Sequence, residues 1–189
     1  MTSSKRLMKG TTVLNRLKSA AVVTVGVPAK FNLLSTNGGT PYMREDGTLV
    51  RIVNVCAFAT DADAGMAKAY WTAGYKLELT GDEEGAHEEY IKASNLMMSF
   101  SSLETYADGF NGCYEVSAMP AKVTNQKGEE VIVLNNVRPV AVAAAAKTAL
   151  FNDLDPAAIA AQIAAETAAP KTTKPVKPST KAQNKVHTY

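Results

Sequence analysis

Residues 69–80 read AYWTAGYKLELT, and the fold follows from how that stretch is taken. Its apolar and polar residues alternate. Ala69, Trp71, Ala73, Tyr75, Leu77 and Leu79 fall on one side of an extended chain, and Tyr70, Thr72, Gly74, Lys76, Glu78 and Thr80 on the other. Strict period-two alternation is the pattern of a half-buried β-strand. Read so, the stretch is the third strand of a series. Upstream, AAVVTVGVPAKFNLL (20–34) is a strand bulged at Gly26–Pro28, and TLVRIVNVCAFAT (48–60) is a second, rich in β-branched residues. The turn formers STNGGTP (35–41) and REDGT (44–48) separate them, and DADAG (61–65) reads as a loop.

Downstream, DEEGAHEEYIKAS (82–94) fits a short helix, with acids in its first turn and Lys92 near its end. Residues 96–103 fit a strand or a buried helix, and ADGFNG (107–112) is a loop. CYEVSAMPAKVT (113–124) and EEVIVLNNVRPVAV (129–142) form a hairpin around the Asn125–Gly128 turn. Asp155–Pro156 opens an Ala-rich helix, Asp as N-cap and Pro at the first helical position. Five strands with one helix between the third and fourth is the connectivity of an OB-fold barrel. The expected fold is therefore mostly β, a five-stranded OB barrel, with an antiparallel sheet or sandwich of the same element count as the alternative. The expected organisation is a basic N-terminal arm (1–18, a flexible arm or short helix), the barrel domain (19–150), the Ala-rich helix (151–168) and a basic, disordered Lys/Pro tail (169–189).

Charge is sorted along the chain. Residues 1–44 hold seven Lys/Arg and no acid; 45–166 hold eight basic residues and all eighteen acids; 167–189 hold five Lys and no acid. The section charges of +7, −10 and +5 hide behind a formal net charge of +2. Two basic ends around an acidic middle point to a polyanionic partner, or to solubilising tails. In the tail, Lys171, Lys174 and Lys177 recur every third residue among prolines, the repeat of a polyproline II edge. No apolar run approaches the ~20 residues of a membrane span. Cys56 and Cys113 lie in apolar segments, without zinc-ligand spacing, and read as reduced thiols of a cytoplasmic protein, with a single structural disulfide as the alternative.

Three segments carry a family resemblance. Trp71–Gly81 runs from an aromatic residue into a glycine before the helix, the helix ends EEYIKAS (88–94), and KVTNQKGEEVIV (122–133) forms a hairpin with an N-x-x-G tip. Over residues 48–142 the chain resembles the single-stranded DNA-binding proteins of bacteria and their phages. The bacterial members end in an acidic partner-recruiting tip, whereas this chain ends KVHTY, and Ser94–Gly112 is longer than the family pattern. The resemblance therefore implies a phage or mobile-element protein that coats single strands in replication or recombination.

Binding single strands needs π-faces for bases and cations for phosphates. In the strand reading, Tyr70 and Lys76 share the polar face, with Lys68 beside it; Trp71 and Tyr75 are core, or stackers if the register shifts. Tyr42 and Arg44 lie in a turn-rich loop near Phe31 and Lys30, and two aromatics with two cations suit a strand clamp or a loop pinned by its own aromatics. Arg51 and Arg138 interrupt apolar strands, and Lys122 and Lys127 flank the hairpin tip. The expected partners are single-stranded DNA or RNA, further copies of the chain, and replication or recombination proteins at the tail; no cofactor, metal or membrane is called for. Catalysis has little support: HEEYI (87–91) lacks the second histidine of a zincin, and no phosphate loop or nucleophile elbow appears. The alternative of a different class is a structural, virion-associated β-protein with basic interaction arms.

Overall fold

The computed structural model describes residues 7–33, 39–107, 115–140, 151 and 153–168. They form four helices and seven strands in two open sheets, with no closed barrel. The fold is mixed α/β rather than mostly β, and the five-stranded barrel is not formed. The stretch that suggested it is helical: Asp61–Leu79 is a single α-helix of 19 residues.

The reason lies upstream of residue 69. Thr60 is an N-cap whose Oγ1 accepts from the Asp63 N–H at 3.1 Å, so DADAG is the first helical turn and not a loop. Alanines supply propensity from there on. The buried residues are Ala64, Ala67, Trp71 and Gly74, a helical stripe. Of the six apolar residues that alternation placed on one face, Trp71 alone is fully buried. The first of the three segments carrying the family resemblance is thus not a strand.

Four helices are numbered in chain order: α1 Gly10–Ser19, α2 Asp61–Leu79, α3 Glu83–Asn95 and α4 Pro156–Ala168. The strands are β1 Ala21–Val22, β2 Ala29–Asn32, β3 Tyr42–Met43, β4 Leu49–Phe58, β5 Met98–Tyr106, β6 Glu115–Thr124 and β7 Glu130–Val140. In one sheet β4 pairs with β1 in parallel, and with β3 and β5 antiparallel. In the other the order is β2-β6-β7, all antiparallel. The segment read as one bulged strand (20–34) is two strands in different sheets. The chain crosses between them at a turn where Val27 N–H bonds Thr24 O and Gly26 takes φ +79°.

β4 serves two cores. Its Cys56 and Phe58 join α1, α2, α3, Phe151 and Leu154 in one cluster. Its Val53, Val55 and Ala57 join Phe31, Val116, Ala118, Leu134 and Val137 of the second sheet in another. The layers are therefore helices, first sheet, second sheet. From Gly10 onward the expected N-terminal arm is helix α1, with Val13 and Leu17 fully buried. It is tied down by polar contacts as well. The Trp71 indole N–H donates to Gly10 O at 2.9 Å, Gly10 N–H donates to Glu78 Oε2 at 3.2 Å, and Met8 N–H donates to His87 Nδ1 at 2.9 Å. Burial and the Glu78 carboxylate, which accepts from the Tyr90 hydroxyl at 2.5 Å, push the Tyr90 pKa far up and keep the phenol protonated.

The β6–β7 hairpin, the 82–94 helix and the Ala-rich helix form as expected; the Asp82 and Asp155 carboxylates cap their helices. Residues 96–103, open between strand and helix, are β5. Each sheet has a bulge. β5 carries an extra residue between Phe100 and Leu103, where Ser102 takes φ 57° and its N–H donates to Asn54 Oδ1 at 2.9 Å. β7 carries one between Asn135 and Arg138, where Asn136 takes φ 51°. The 108–112 part of the ADGFNG loop, residues 35–38, Cys113 and the Lys/Pro tail lie outside the described residues. Cys56 is a buried free thiol, as expected.

Helices α2 and α3 meet where Gly74 leaves room for the Tyr90 ring. A Cβ at Gly74 comes within 2.7 Å of the ring and 3.1 Å of Ala86 O. Tyr90 is fully buried and pinned by Glu78, so it has no room to move. Gly74→Ala is expected to lower stability by about 1–2 kcal/mol, overpacking outweighing the gain of roughly 1 kcal/mol in helix propensity. Urea unfolding checks this: the midpoint falls and the slope is unchanged.

Candidate nucleic-acid interface

The α2 candidates are dispersed around a helix. Trp71 is buried and stacked on Tyr75, ring centroids 5.1 Å apart. The Lys92 ammonium lies 5.8 Å from the Tyr70 ring centroid, and Lys68 is ion-paired with Asp153. Lys76 is exposed. Tyr70 and Lys76 are six residues apart, about 120° around the axis, so the shared face expected of them does not exist. Acids outnumber bases eight to three over residues 61–95, which makes this the acidic side of the molecule.

The sheets gather the other candidates. Cross-strand partners share a face, and the register lines up Tyr42, Val50 and Tyr106 in one row over β3, β4 and β5. Val50 is buried, while Tyr42 and Tyr106 are 43% and 50% exposed. This is the face of β4 that carries Cys56 and Phe58, at the end remote from them. In the second sheet Lys30, Ser117 and Arg138 form a row over β2, β6 and β7, on the face opposite Phe31, Val116 and Val137. Lys30 and Arg138 are exposed and about 10 Å apart, two strand spacings.

An open cleft of about 190 Å³ joins the two rows where β5 and β7 approach. Arg44, Glu104, Thr105 and Tyr106 line one side, and Asn136 and Arg138 the other. Arg44 reaches it from a tight hairpin turn in which Gly47 has φ +82° and Asp46 Oδ1 accepts from Thr48 N–H at 2.9 Å. Arg44 grips Glu104 with two donors: Nε to Oε1 at 2.7 Å, and Nη2 to Oε2. The Tyr42 hydroxyl also donates to Oε1 at 2.8 Å. These bonds hold the Glu104 carboxyl below the usual carboxylate range, and the same carboxylate raises Tyr42 and Arg44 above theirs. Thr105 is 3% exposed, and its Oγ1 has no hydrogen-bond partner among the described residues.

Of the sequence-predicted residues, Arg44 and Arg138 line the cleft, and Tyr42 adjoins it through its hydrogen bond to Glu104. Arg51 stands opposite Thr105 and is engaged within the fold. Lys122 pairs with Glu130 at 3.1 Å. With Lys127 it sits at the far tip of the hairpin, which is roughly 23 Å from Ser117 by strand rise. Sequence reasoning missed Tyr106, Glu104, Thr105 and Asn136. Tyr106 fell at the end of a stretch that showed no decisive period; the Asn135–Asn136 pair inside an apolar strand was the available sign of a bulge, since Asn tolerates the left-handed region.

Comparison with family models, with curated proteins and with solved structures finds no match. Among the described residues, no group of three His, Cys, Asp or Glu is placed to hold a metal, and no helix is long and apolar enough to cross a membrane.

Two outcomes follow from the cleft. Thr105→Val removes a buried hydroxyl that lacks a partner while keeping the volume, so stability holds or rises by up to about 1 kcal/mol, read as an unchanged or higher Tm. Glu104 has a lowered folded-state pKa, so its contribution is present above the ordinary carboxylate range and is lost as pH falls through the lowered value. Carbon-detected NMR titration is expected to show Glu104 protonating below an ordinary glutamate in the wild type, and returning toward the ordinary range in Arg44→Ala.

Proposed function

We propose that the protein binds single-stranded nucleic acid with little sequence preference, through the cleft between β5 and β7 and the two rows that flank it. The observation that carries the reading is the convergence of the exposed Tyr106 with Arg44 and Arg138 at one cleft, with the exposed Tyr42 hydrogen-bonded to Glu104 of the cleft wall. Exposed rings at the rim of a cleft offer π-faces to any base, and arginines offer forked donors to phosphate. Lys30 extends the cationic row across the second sheet. The surplus acid sits on α2 and α3, so a polyanion meets the sheets and not the helices. The five Lys in residues 167–189 add sequence-independent attraction. Nothing in this arrangement reads a base edge, which fits a protein that coats exposed DNA or RNA strands, as several copies side by side, during replication or recombination. The chemistry is binding and not catalysis.

Fluorescence anisotropy with labelled oligo-dT and oligo-rA at several salt concentrations tests this. The expected affinity is in the micromolar range or tighter and weakens with salt. Arg138→Ala is expected to flatten the logarithmic salt slope by about 0.7, one phosphate contact on a single strand. Tyr106→Ala is expected to weaken binding by roughly 5- to 150-fold, the range for one stacked base. Lys76→Ala, on the acidic side, leaves affinity unchanged. Absence of salt-sensitive binding by the wild type at micromolar protein overturns the proposal and favours the structural β-protein.

A further inference from the structure

We propose that the Glu104 carboxylate is the resting occupant of a phosphate subsite, gripping Arg44 in the free protein and giving way to a phosphate group of the ligand. For its ligand this inference rests on the single-strand reading above; the exchange itself can be read without it.

Arg44 offers Nε and Nη2 to the two oxygens of Glu104, the forked arrangement by which a guanidinium also takes two phosphate oxygens. One anion can therefore replace the other without Arg44 changing its fork. The pair lies at the cleft mouth, with the Arg44 and Glu104 side chains 45% and 29% exposed. Exposed ion pairs contribute little net free energy, so the exchange is inexpensive.

The rest of the cleft holds donors beyond those Glu104 uses. Arg138 and Asn136 line the opposite wall. The Tyr42 hydroxyl, which donates to Glu104 in the free state, is released when the carboxylate leaves. With Glu104 in place, Arg44 is neutralised; with Glu104 displaced, two arginines face the same incoming charge. Glu104 thus sets a threshold. A group that cannot match its two-oxygen grip competes poorly with it, and a phosphate, which matches the fork and also meets Arg138, replaces it.

The test has two arms, each run on wild type, Glu104→Gln and Glu45→Gln, the last removing an acid on the neighbouring turn. In the first arm, anisotropy with labelled oligo-dT is expected to show Glu104→Gln binding up to about fivefold tighter than wild type, beyond any gain from Glu45→Gln. In the second arm, the Arg44 Nε–H resonance is followed by NMR during titration with inorganic pyrophosphate. It is expected to shift and saturate in the wild type, and to do so at lower pyrophosphate in Glu104→Gln. Glu104→Gln binding that is no tighter than Glu45→Gln, in whichever arm shows binding, overturns the proposal and makes Glu104 a support for Arg44. If oligo-dT fails to bind every variant while pyrophosphate shows the exchange, the single-strand reading falls and the subsite stands for free phosphate. If pyrophosphate leaves the Arg44 resonance unmoved even in Glu104→Gln, the subsite is overturned.

Discussion

Strand β4 buries both its faces, and the layout depends on it. From Val53 to Phe58 only Asn54 is exposed. Alternation sends Val53, Val55 and Ala57 toward the second sheet and Cys56 and Phe58 toward the helices. A strand covered on both sides has to find two partners, so α1, α2 and α3 pack on one face and β2-β6-β7 on the other. That demand is local to one end. At the Leu49–Ile52 end the helix-side face carries Val50 between Tyr42 and Tyr106, and both tyrosines reach solvent. The cleft exists because the helical layer covers the sheet over only part of its length.

Much of this was legible in the sequence. β4 shows as a run of β-branched residues, the β6–β7 hairpin by its turn residues, α3 by its acidic first turn, and α4 by Asp155–Pro156. What misled was AYWTAGYKLELT. Period two and period 3.6 coincide over short windows, and here the aromatic residues Trp71 and Tyr75 are i, i+4 neighbours that also satisfy alternation. The deciding information was Thr60 and the alanines before residue 69. Reading the segment with its cap gives a helix; reading it alone gives a strand. The change moved five candidate residues to the acidic side of the protein, while Tyr42, Arg44 and Arg138 were found because each was an aromatic or cation out of place in its own segment.

The charge sorting keeps its meaning but changes its geometry. The acidic middle of the chain is concentrated on α2 and α3, where eight acids face three bases. Among the cations that stand apart from it, Lys30 and Arg138 lie on the second sheet, where the register brings them near one another, and Arg44 shares the cleft with Arg138 from the turn after β3. Lys30 and Arg138 are 108 positions apart in sequence yet flank the same serine. Such a pairing is a property of strand order, which no local pattern contains.

The two bulges explain why the cleft is polar. In β7, Leu134 points into the core; plain alternation would carry Asn136 and Arg138 inward with it and bury a guanidinium. The extra residue at Asn136 reverses the parity, so Val137 fills the core and Arg138 faces out. In β5, Phe100 points inward, and plain alternation would take Glu104 and Tyr106 with it. The extra residue at Ser102 reverses that parity too, so Leu103 and Thr105 turn in while Glu104 and Tyr106 turn toward the open face. Burying either charge unpaired costs several kcal/mol, far more than the roughly 1–3 kcal/mol of a residue held at positive φ. The bulges are thus the cheaper solution to a sequence that puts charge where alternation wants carbon. Thr105 is the residue this solution leaves over: the same reversal that frees Glu104 and Tyr106 turns its hydroxyl inward at the cleft wall, with a hydrogen bond still to make.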